Sequence, residues 1–366
     1  MHGARLLRAL RQRRPGLEAF GMGGERLAAE GLDRIARAEE LSVMGFAEVA
    51  GRVPAILRSL SALTREAARR RPQAAVLIDF PDFHAALSRR LRRQGVRLVY
   101  YVSPQVWAWR SERARVIARR ADRILTLFPF ETEIYRRLGA DAVCTGHPIV
   151  DDVAEGLARA TPLPPKTGPR LALLPGSRRE EVFRHWPPMR DAAVRLASRR
   201  GTESFVVRPP SPPEDLYAGA EAAGIRFVSS GAHAWLASAD LALVASGTAT
   251  LETALCGLPM IVVYRTSWTS FAIGRALVKV PWISLVNIVA REEVVPELLQ
   301  TAVTSDRLAR EAEALLDSAP RRERMKAGLA RVARELGPPG ASDRAAREVL
   351  DAMDGSAETG VRAASR

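Results

Sequence analysis

Short aliphatic runs that alternate with longer helical patterns constrain the fold of this chain more than any other feature. In the first half they predict β-strands at 74–78, 97–102, 123–127 and 142–144. In the second half they predict strands at 171–174, 204–207, 226–228, 241–244 and 260–263. Because strands that alternate with helices pair in parallel through crossover connections, we expect an α/β fold with parallel sheets.

A proline-rich segment separates the two series of strands. Residues 161–169, with the sequence TPLPPKTGP, lack any apolar period and favour a boundary between domains. The length of 366 residues suits two domains. We therefore expect an N-terminal domain at 1–160, a second domain at 169–330, and a C-terminal helix with a frayed tail at 331–366.

The charge of the chain indicates an anionic partner. The formal net charge is +14, which favours nucleic acid, a phosphorylated substrate or an acidic membrane surface without choosing among them. Only Cys144 and Cys256 are present, and neither lies at metal-ligand spacing, so no disulfide framework or metal site is expected. The N-terminus has no apolar signal segment, and no transmembrane helix is expected.

Two strand-to-helix turns in the second half are candidates for phosphate binding. In the first, Gly176, Ser177 and Arg178 follow an apolar strand, where helix N–H groups and a guanidinium can hold a diphosphate. The alternative is an ordinary turn with a solvated arginine. In the second, hydroxyl and N–H groups for phosphate oxygens come from Ser246, Gly247, Thr248 and Thr250.

Glu252 lies one turn into the helix that follows the second candidate turn. A carboxylate at that depth can accept hydrogen bonds from the ribose hydroxyls of a bound nucleotide. The alternative is an acidic residue favoured by the helix dipole.

Asp79 ends an apolar strand of the first half, where ligands of open α/β sheets gather, and it is a candidate general base. Trp107 and Trp109 lie in an aromatic segment after the next strand. They are candidates for acceptor or membrane contact, although packing under the following helix explains them equally well. His147 ends another strand. A position facing the cleft and a place in a structural turn are both compatible with its sequence.

An amphipathic helix with a basic end is predicted before the strand at 74–78. Its apolar stripe is made by Val53, Ile56, Leu57 and Leu60. Core packing explains such stripes more often than membrane contact does. With an acylated substrate, however, an apolar patch rimmed by arginine would suit contact with a membrane.

Taken together, these segments resemble the lipid-A-disaccharide synthase family over nearly the whole chain. The segment YVSPQVWAW at 101–109 is the most specific match. The other matching segments lie at 21–24, 41–46, 78–83, 173–178, 245–252, and at 284–287 with 295–300.

The resemblance implies a GT-B fold with two Rossmann-like domains, an N-terminal one for the acceptor and a C-terminal one for the donor. It implies an inverting transfer that joins UDP-2,3-diacylglucosamine to 2,3-diacylglucosamine 1-phosphate, without metal or cofactor, in lipid A (lipopolysaccharide) synthesis of Gram-negative bacteria. Asn287 would lie near the donor. The partners would be these two substrates and the anionic surface on the cytoplasmic face of the inner membrane, not nucleic acid, and a homodimer is compatible with it.

Some features depart from the family pattern. The family usually opens with an apolar strand and a Gly-rich turn, and here Met1 to Ala4 resemble only the tail of that turn. We therefore expect the first strand and loop to be missing, either through a late start codon or in a truncated, inactive homologue. Val286 stands where the family usually has proline, and His84 stands where it usually has asparagine.

The alternative function is a different enzyme of the same architecture. Another UDP-sugar transferase or a UDP-sugar 2-epimerase would share the turns at Arg178 and Glu252.

Overall fold

A computed structural model describes residues 2–38, 46–103, 111–207, 214–268, 271 and 280–355, without the side chains of 46–52, 111, 214 and 215. The chain forms two compact units. Unit 1 contains Met1–Pro148 and Gly340–Arg366, and unit 2 contains Ile149–Pro339. The α/β class with parallel strands is confirmed in both units.

Unit 1 carries a four-stranded parallel sheet and a separate parallel pair of strands. Its elements are α1 (His2–Arg13), β1 (Phe20–Gly23), α2 (Glu25–Ala29), β2 (Asp33–Arg37), α3 (Phe46–Arg70), β3 (Ala74–Ile78), α4 (Pro81–Arg93), β4 (Arg97–Tyr101), α5 (Ser111–Arg120), β5 (Arg123–Thr126), α6 (Pro129–Arg137) and β6 (Ala142–Cys144). The larger sheet has the order β3-β4-β5-β6, whereas β1 pairs only with β2 among the described strands. Gly3 of α1 lies close to both α2 and β3, because a Cβ built there would be 3.1 Å from Leu27 and 3.2 Å from Ile78. The missing first strand remains a prediction.

Unit 2 carries a six-stranded parallel sheet in the order β12-β11-β10-β7-β8-β9. Its elements are α7 (Ile149–Ala158), β7 (Arg170–Leu174), α8 (Arg179–Arg200), β8 (Glu203–Val207), β9 (Arg226–Val228), α9 (Ala232–Ser238), β10 (Leu241–Ala245), α10 (Thr248–Leu255), β11 (Met260–Tyr264), α11 (Leu285–Ala290), β12 (Glu297–Leu299), α12 (Ser305–Asp317) and α13 (Ala319–Glu335). The last helix, α14 (Ala341–Asp354), belongs to unit 1. The two central strands, β7 and β10, are buried along their whole length, as their aliphatic sequences require.

The boundaries of the two units differ from those predicted. The predicted first domain, 1–160, includes α7, which packs against α9 and α10 of unit 2. The predicted C-terminal segment, 331–366, includes α14, which packs against α1 and β4 of unit 1. The proline-rich segment is a loop within unit 2, not a boundary between the units. The sequence could not show this, because it does not reveal which unit an amphipathic helix packs against.

The return of α14 to unit 1 is anchored by packing and by polar contacts. Ala345, Ala346 and Val349 are at most 1 % exposed. Arg123 of β5 donates to the Glu348 carboxylate at 2.8 Å, and Arg13 of α1 donates to Asp343. The helix is therefore part of the core of unit 1.

Candidate functional site

The candidate phosphate-binding turns lie side by side in unit 2. The chain builds the sheet outward from β7 through β8 to β9, then returns to the other side of β7 with β10. The reversal of strand order falls between β7 and β10, whose residues Leu174 and Val244 are directly paired. Ligands of open α/β sheets bind at such a reversal, beyond the carboxyl ends of the strands. Both turns begin there, and each joins a strand to a helix, as its sequence predicted.

The first turn holds an anion of the chain itself. Gly176 has a φ of 115°, which favours glycine, and a Cβ there would lie only 2.7 Å from Oε2 of Glu181. The backbone N–H groups of Ser177 and Arg178 donate to that oxygen at 3.3 and 3.4 Å. Arg178 Nη1 donates to the other carboxylate oxygen at 2.8 Å. The N-terminus of α8 thus presents the donors that a diphosphate needs, and Glu181 occupies them in this conformation.

His185 fixes the position of the first turn, and the sequence interpretation missed it. Its Nε2 accepts from the Arg265 N–H at 2.9 Å, so Nδ1 carries the hydrogen and donates to the Pro175 carbonyl at 2.9 Å. The ring is 1 % exposed, and burial lowers its pKa. His185 therefore joins the turn after β7 to the segment after β11. The sequence does not show this role, because the N–H group that His185 accepts from belongs to Arg265, 80 residues further along the chain.

The residues of the second turn divide into structural and available groups. Thr250 is fully buried, and its hydroxyl donates to the Gly247 carbonyl at 2.7 Å. Ser246 donates to the Ile283 carbonyl at 2.9 Å. Gly247, with a φ of 149°, and the exposed Thr248 leave the start of α10 open for a ligand. Because the Thr250 hydroxyl is buried and bonded within the turn, the structure favours a structural role for it over the predicted contact with the donor.

Glu252 lies on α10 among groups that disfavour its charge. Burial, with a smaller effect from Asp152 of α7, raises the pKa of Glu252 to about 7. His233 of α9 is also within electrostatic range of Asp152, and burial lowers the pKa of that histidine. A perturbed carboxyl beside a candidate phosphate site is typical of a binding group.

Asn287 has a structural environment rather than a ligand-facing one. It is fully buried, and its Nδ2 donates to the Val295 carbonyl and to Glu297 Oε1, both at 2.9 Å. Its Oδ1 accepts from the N–H groups of Val294 and Val295. Since every hydrogen-bonding group of the amide is used within the chain, the structure favours a role in holding the turn before β12 over the predicted contact with the donor.

We expect Asn287→Ala to lower the free energy of unfolding by about 3 kcal/mol, because it leaves several buried backbone groups and Glu297 short of partners. Urea unfolding followed by circular dichroism measures this. The matched control is the nearby exposed Glu293, whose replacement by alanine should change stability by no more than about 0.5 kcal/mol. An equally small effect of Asn287→Ala would contradict the structural role.

In unit 1, Asp79 lies at a strained strand end. It is exposed, directly follows β3, and has a φ of 57°, and Phe80 follows with a φ of 41°. Val102, just after the adjacent strand β4, has a φ of 61°. Left-handed conformations of such residues cost about 1–3 kcal/mol each and cluster at functional sites. The carboxyl edge of β3 and β4 is therefore the strongest candidate site in unit 1.

Other residues near the strand ends of unit 1 have structural environments. Phe80 is the N-cap of α4, and Asp82, in the first turn of that helix, forms an ion pair with Arg113 at 2.6 Å. His147 is 5 % exposed, and burial together with the nearby His2 lowers its pKa to about 3. Trp107 and Trp109 lie outside the described residues.

The stripe on α3 divides between core and surface. Leu60 is 3 % exposed and belongs to the core of unit 1, against which Ile56 packs. Val53 and Leu57 are 43 % and 54 % exposed. Only Val53 and Leu57 remain available for the predicted membrane contact. Among the described residues, no helix has the length and apolar character to cross a bilayer.

Comparison with known proteins identifies the family. The sequence model of the lipid-A-disaccharide synthetase family matches residues 1–346. A lipid-A-disaccharide synthase of Anaeromyxobacter dehalogenans (strain 2CP-1 / ATCC BAA-258) is 44% identical over 362 residues, which cover 96% of this chain and 94% of that protein.

Two solved structures share the fold at low sequence identity. A UDP-GlcNAc 2-epimerase from Neisseria meningitidis bound to UDP-GlcNAc has a TM-score of 0.62, 12% identity, and coverage of 95% of this chain and 96% of that one. The calicheamicin glycosyltransferase CalG4 has a TM-score of 0.62, 14% identity, and coverage of 95% and 94%. These likenesses confirm the predicted GT-B fold class. With the family match over almost its entire length, the chain belongs to the lipid-A-disaccharide synthetase family.

Proposed function

We propose that the protein condenses UDP-2,3-diacylglucosamine with 2,3-diacylglucosamine 1-phosphate to give the β-1′,6-linked lipid A disaccharide and UDP. The family match supports the reaction. The observation that carries the site is the placement of two strand-to-helix turns, at Gly176 and at Gly247, on the two directly paired strands where the strand order of unit 2 reverses. This arrangement supports a diphosphate that is held without a metal ion.

The donor would be held by backbone and side-chain groups of unit 2. The N–H groups of Ser177 and Arg178, at the start of the 22-residue helix α8, would bind the diphosphate together with the Arg178 guanidinium. The open start of α10 at Gly247 and Thr248 would bind the second phosphate. Glu252 would accept hydrogen bonds from the ribose hydroxyls.

In the reaction, Asp79 would remove the proton from the acceptor hydroxyl as its oxygen attacks the anomeric carbon of the donor. The bond from that carbon to the diphosphate oxygen breaks, and the electron pair leaves with UDP. Arg178 and the helix N-termini would stabilise the negative charge that grows on the departing diphosphate. A single displacement of this kind inverts the anomeric carbon.

The acylated substrates also require access to a lipid surface. The exposed Val53 and Leu57 of α3, in a chain with a net charge of +14, would suit an anionic bilayer on the inner face of the inner membrane. Binding to vesicles with and without anionic lipid tests this role, with Val53→Ser/Leu57→Ser as the variant.

The proposed reaction is tested by incubating the purified protein with the acylated donor and acceptor and measuring UDP release and disaccharide formation. Release of UDP should depend on the acceptor. A parallel reaction with UDP-GlcNAc alone distinguishes the alternative, because an epimerase would convert it to the 2-epimer without a second sugar. Conversion of that kind, with no disaccharide, would overturn the proposal.

The proposed role of Glu252 predicts a pH dependence of nucleoside binding. The carboxylate is the better acceptor for ribose hydroxyls, and its pKa of about 7 leaves much of it protonated at neutral pH. Affinity for uridine, which carries no phosphate to titrate, should therefore rise about tenfold between pH 6 and pH 8. Calorimetric titrations measure this. In Glu252→Gln the affinity should be weak and independent of pH, and an unchanged slope in this variant would exclude the role.

A further inference from the structure

An exposed arginine, Arg265, lies at the carboxyl end of β11. It directly follows Tyr264, the last residue of that strand. β11 pairs in parallel with β10 as far as Val263 and Ala245, and the Ser246 N–H donates to the Val263 carbonyl at 2.9 Å. Arg265 therefore leaves the sheet at the same edge as the second candidate phosphate-binding turn, which begins at Ser246.

The backbone of Arg265 is also fixed against the first candidate turn. Its N–H donates to Nε2 of His185 at 2.9 Å, while Nδ1 of the same ring donates to the Pro175 carbonyl at 2.9 Å. A single imidazole ring thus separates Arg265 from the residue that precedes Gly176. An extended arginine side chain is long enough to cross a gap of that width.

The residue that follows Arg265 is held by a second side chain. Oε1 of Gln300 accepts from the Thr266 N–H at 2.8 Å, and Nε2 of Gln300 donates to the Thr266 carbonyl at 3.1 Å. Gln300 is itself only 6 % exposed. Because the backbone on both sides of the Arg265 side chain is fixed, less freedom is lost when that side chain binds a ligand.

The guanidinium of Arg265 is available to a ligand. Over the part of the chain that the structure describes, it has no hydrogen-bond acceptor and no acidic partner. Burial is the main cause of the low pKa of His185, and the charges of Arg265 and Arg184 add to it. The Arg265 charge therefore lies within electrostatic range of the ring that contacts the first turn. Arg184, by contrast, is paired with Glu180 at 3.1 Å.

The charges of the first turn do not suffice for a diphosphate. Arg178 is paired with the Glu181 carboxylate at 2.8 Å, so the two side chains together are neutral. The donor, in contrast, carries a negative charge on each phosphate of its diphosphate. A guanidinium can bind phosphate oxygens through two parallel hydrogen bonds. A second cation close to both turns would therefore complement the ligand.

We propose that the Arg265 guanidinium binds the diphosphate of the donor together with Arg178, an inference that rests on the function proposed for unit 2. Its charge complements the bound diphosphate and the negative charge that grows on UDP as the glycosidic bond of the donor breaks. Arg265 would act on the phosphates and not on the uridine.

The test compares UDP with uridine, which lacks the phosphates, in calorimetric titrations of the full chain. Arg265→Gln should weaken UDP binding about tenfold, as expected for loss of a charge-assisted hydrogen bond, and should leave uridine binding unchanged. Arg265→Lys keeps the charge without the planar fork, so its UDP affinity should lie between those of the wild type and Arg265→Gln. Since Arg265 is exposed, these variants should fold normally, which circular dichroism checks.

Arg184→Gln is the matched control, because it removes the same charge near the same ring from a residue that is already paired with Glu180. Its UDP affinity should stay within about threefold of the wild type. If the wild type binds UDP but Arg265→Gln and Arg184→Gln bind it equally well, the role of Arg265 is overturned. Equal losses of UDP and uridine binding in Arg265→Gln would also overturn it. A wild-type chain that binds no UDP would overturn the proposed donor site itself, and this inference with it.

Discussion

Replacing Asp79 with asparagine should lower kcat by about 10²–10⁴-fold, the range that a general base contributes. Asparagine keeps the size of the side chain and tolerates the left-handed conformation at this position, so the turn between β3 and α4 should persist. The amide cannot accept the proton of the attacking hydroxyl. Steady-state rates of UDP release, with a separate titration of UDP, measure the two effects independently.

The affinity for UDP should be unchanged in Asp79→Asn, because the nucleotide is assigned to unit 2. Asp82→Asn is the matched control, since it removes an exposed carboxylate three residues away and loosens only the ion pair with Arg113. Surface pairs of this kind contribute about 0–1 kcal/mol, so the control should keep nearly full activity. Substantial turnover in Asp79→Asn would remove this residue from the role of base.

The second large effect is expected at Arg178. Its alanine variant should bind UDP about 10–100-fold more weakly, the range expected for loss of a hydrogen bond to a charged group, and should also turn over more slowly. Isothermal titration with UDP and steady-state kinetics measure the two effects. Arg179→Ala is the control, because it removes the same charge one residue further along. It distinguishes an effect of the position of the Arg178 guanidinium from an effect of net charge. Equal UDP affinities in these two variants would contradict the assignment.

Glu181 provides an opposite test of the same site. Because its carboxylate accepts from Ser177 N–H, Arg178 N–H and the Arg178 guanidinium, it competes with any bound anion. Glu181→Gln removes that charge and retains the length of the side chain. We expect it to tighten UDP binding several-fold at low ionic strength, provided that α8 keeps its start, which circular dichroism monitors.

Much of the fold could be predicted because its strands are short aliphatic runs. β7 and β10 have this pattern, and the structure places them at the centre of the larger sheet. β1 and β2 were missed, because the first reads FGMG and the second reads DRIAR. Their strand conformation depends on pairing with each other, which the local sequence does not show.

The candidate site was predictable where chemistry follows from the turn itself. Gly176 and Gly247 were found in this way, since a strand, a glycine turn and a helix are contiguous in sequence. His185 and Glu297 were not found, because each acts on a backbone segment distant in sequence. Asn287 was assigned to the donor through the family resemblance, and only its complete set of internal hydrogen bonds favours a structural role.

The position of α14 in the sequence sets the order in which the two units can complete their cores during translation. Unit 2 is continuous in sequence and can complete its core while the ribosome is still translating. Unit 1 cannot, because Ala345, Ala346 and Val349 follow the whole of unit 2 in the sequence and are needed to cover α1 and β4. The core of unit 1 therefore stays incomplete until α14 has been translated, after all of unit 2.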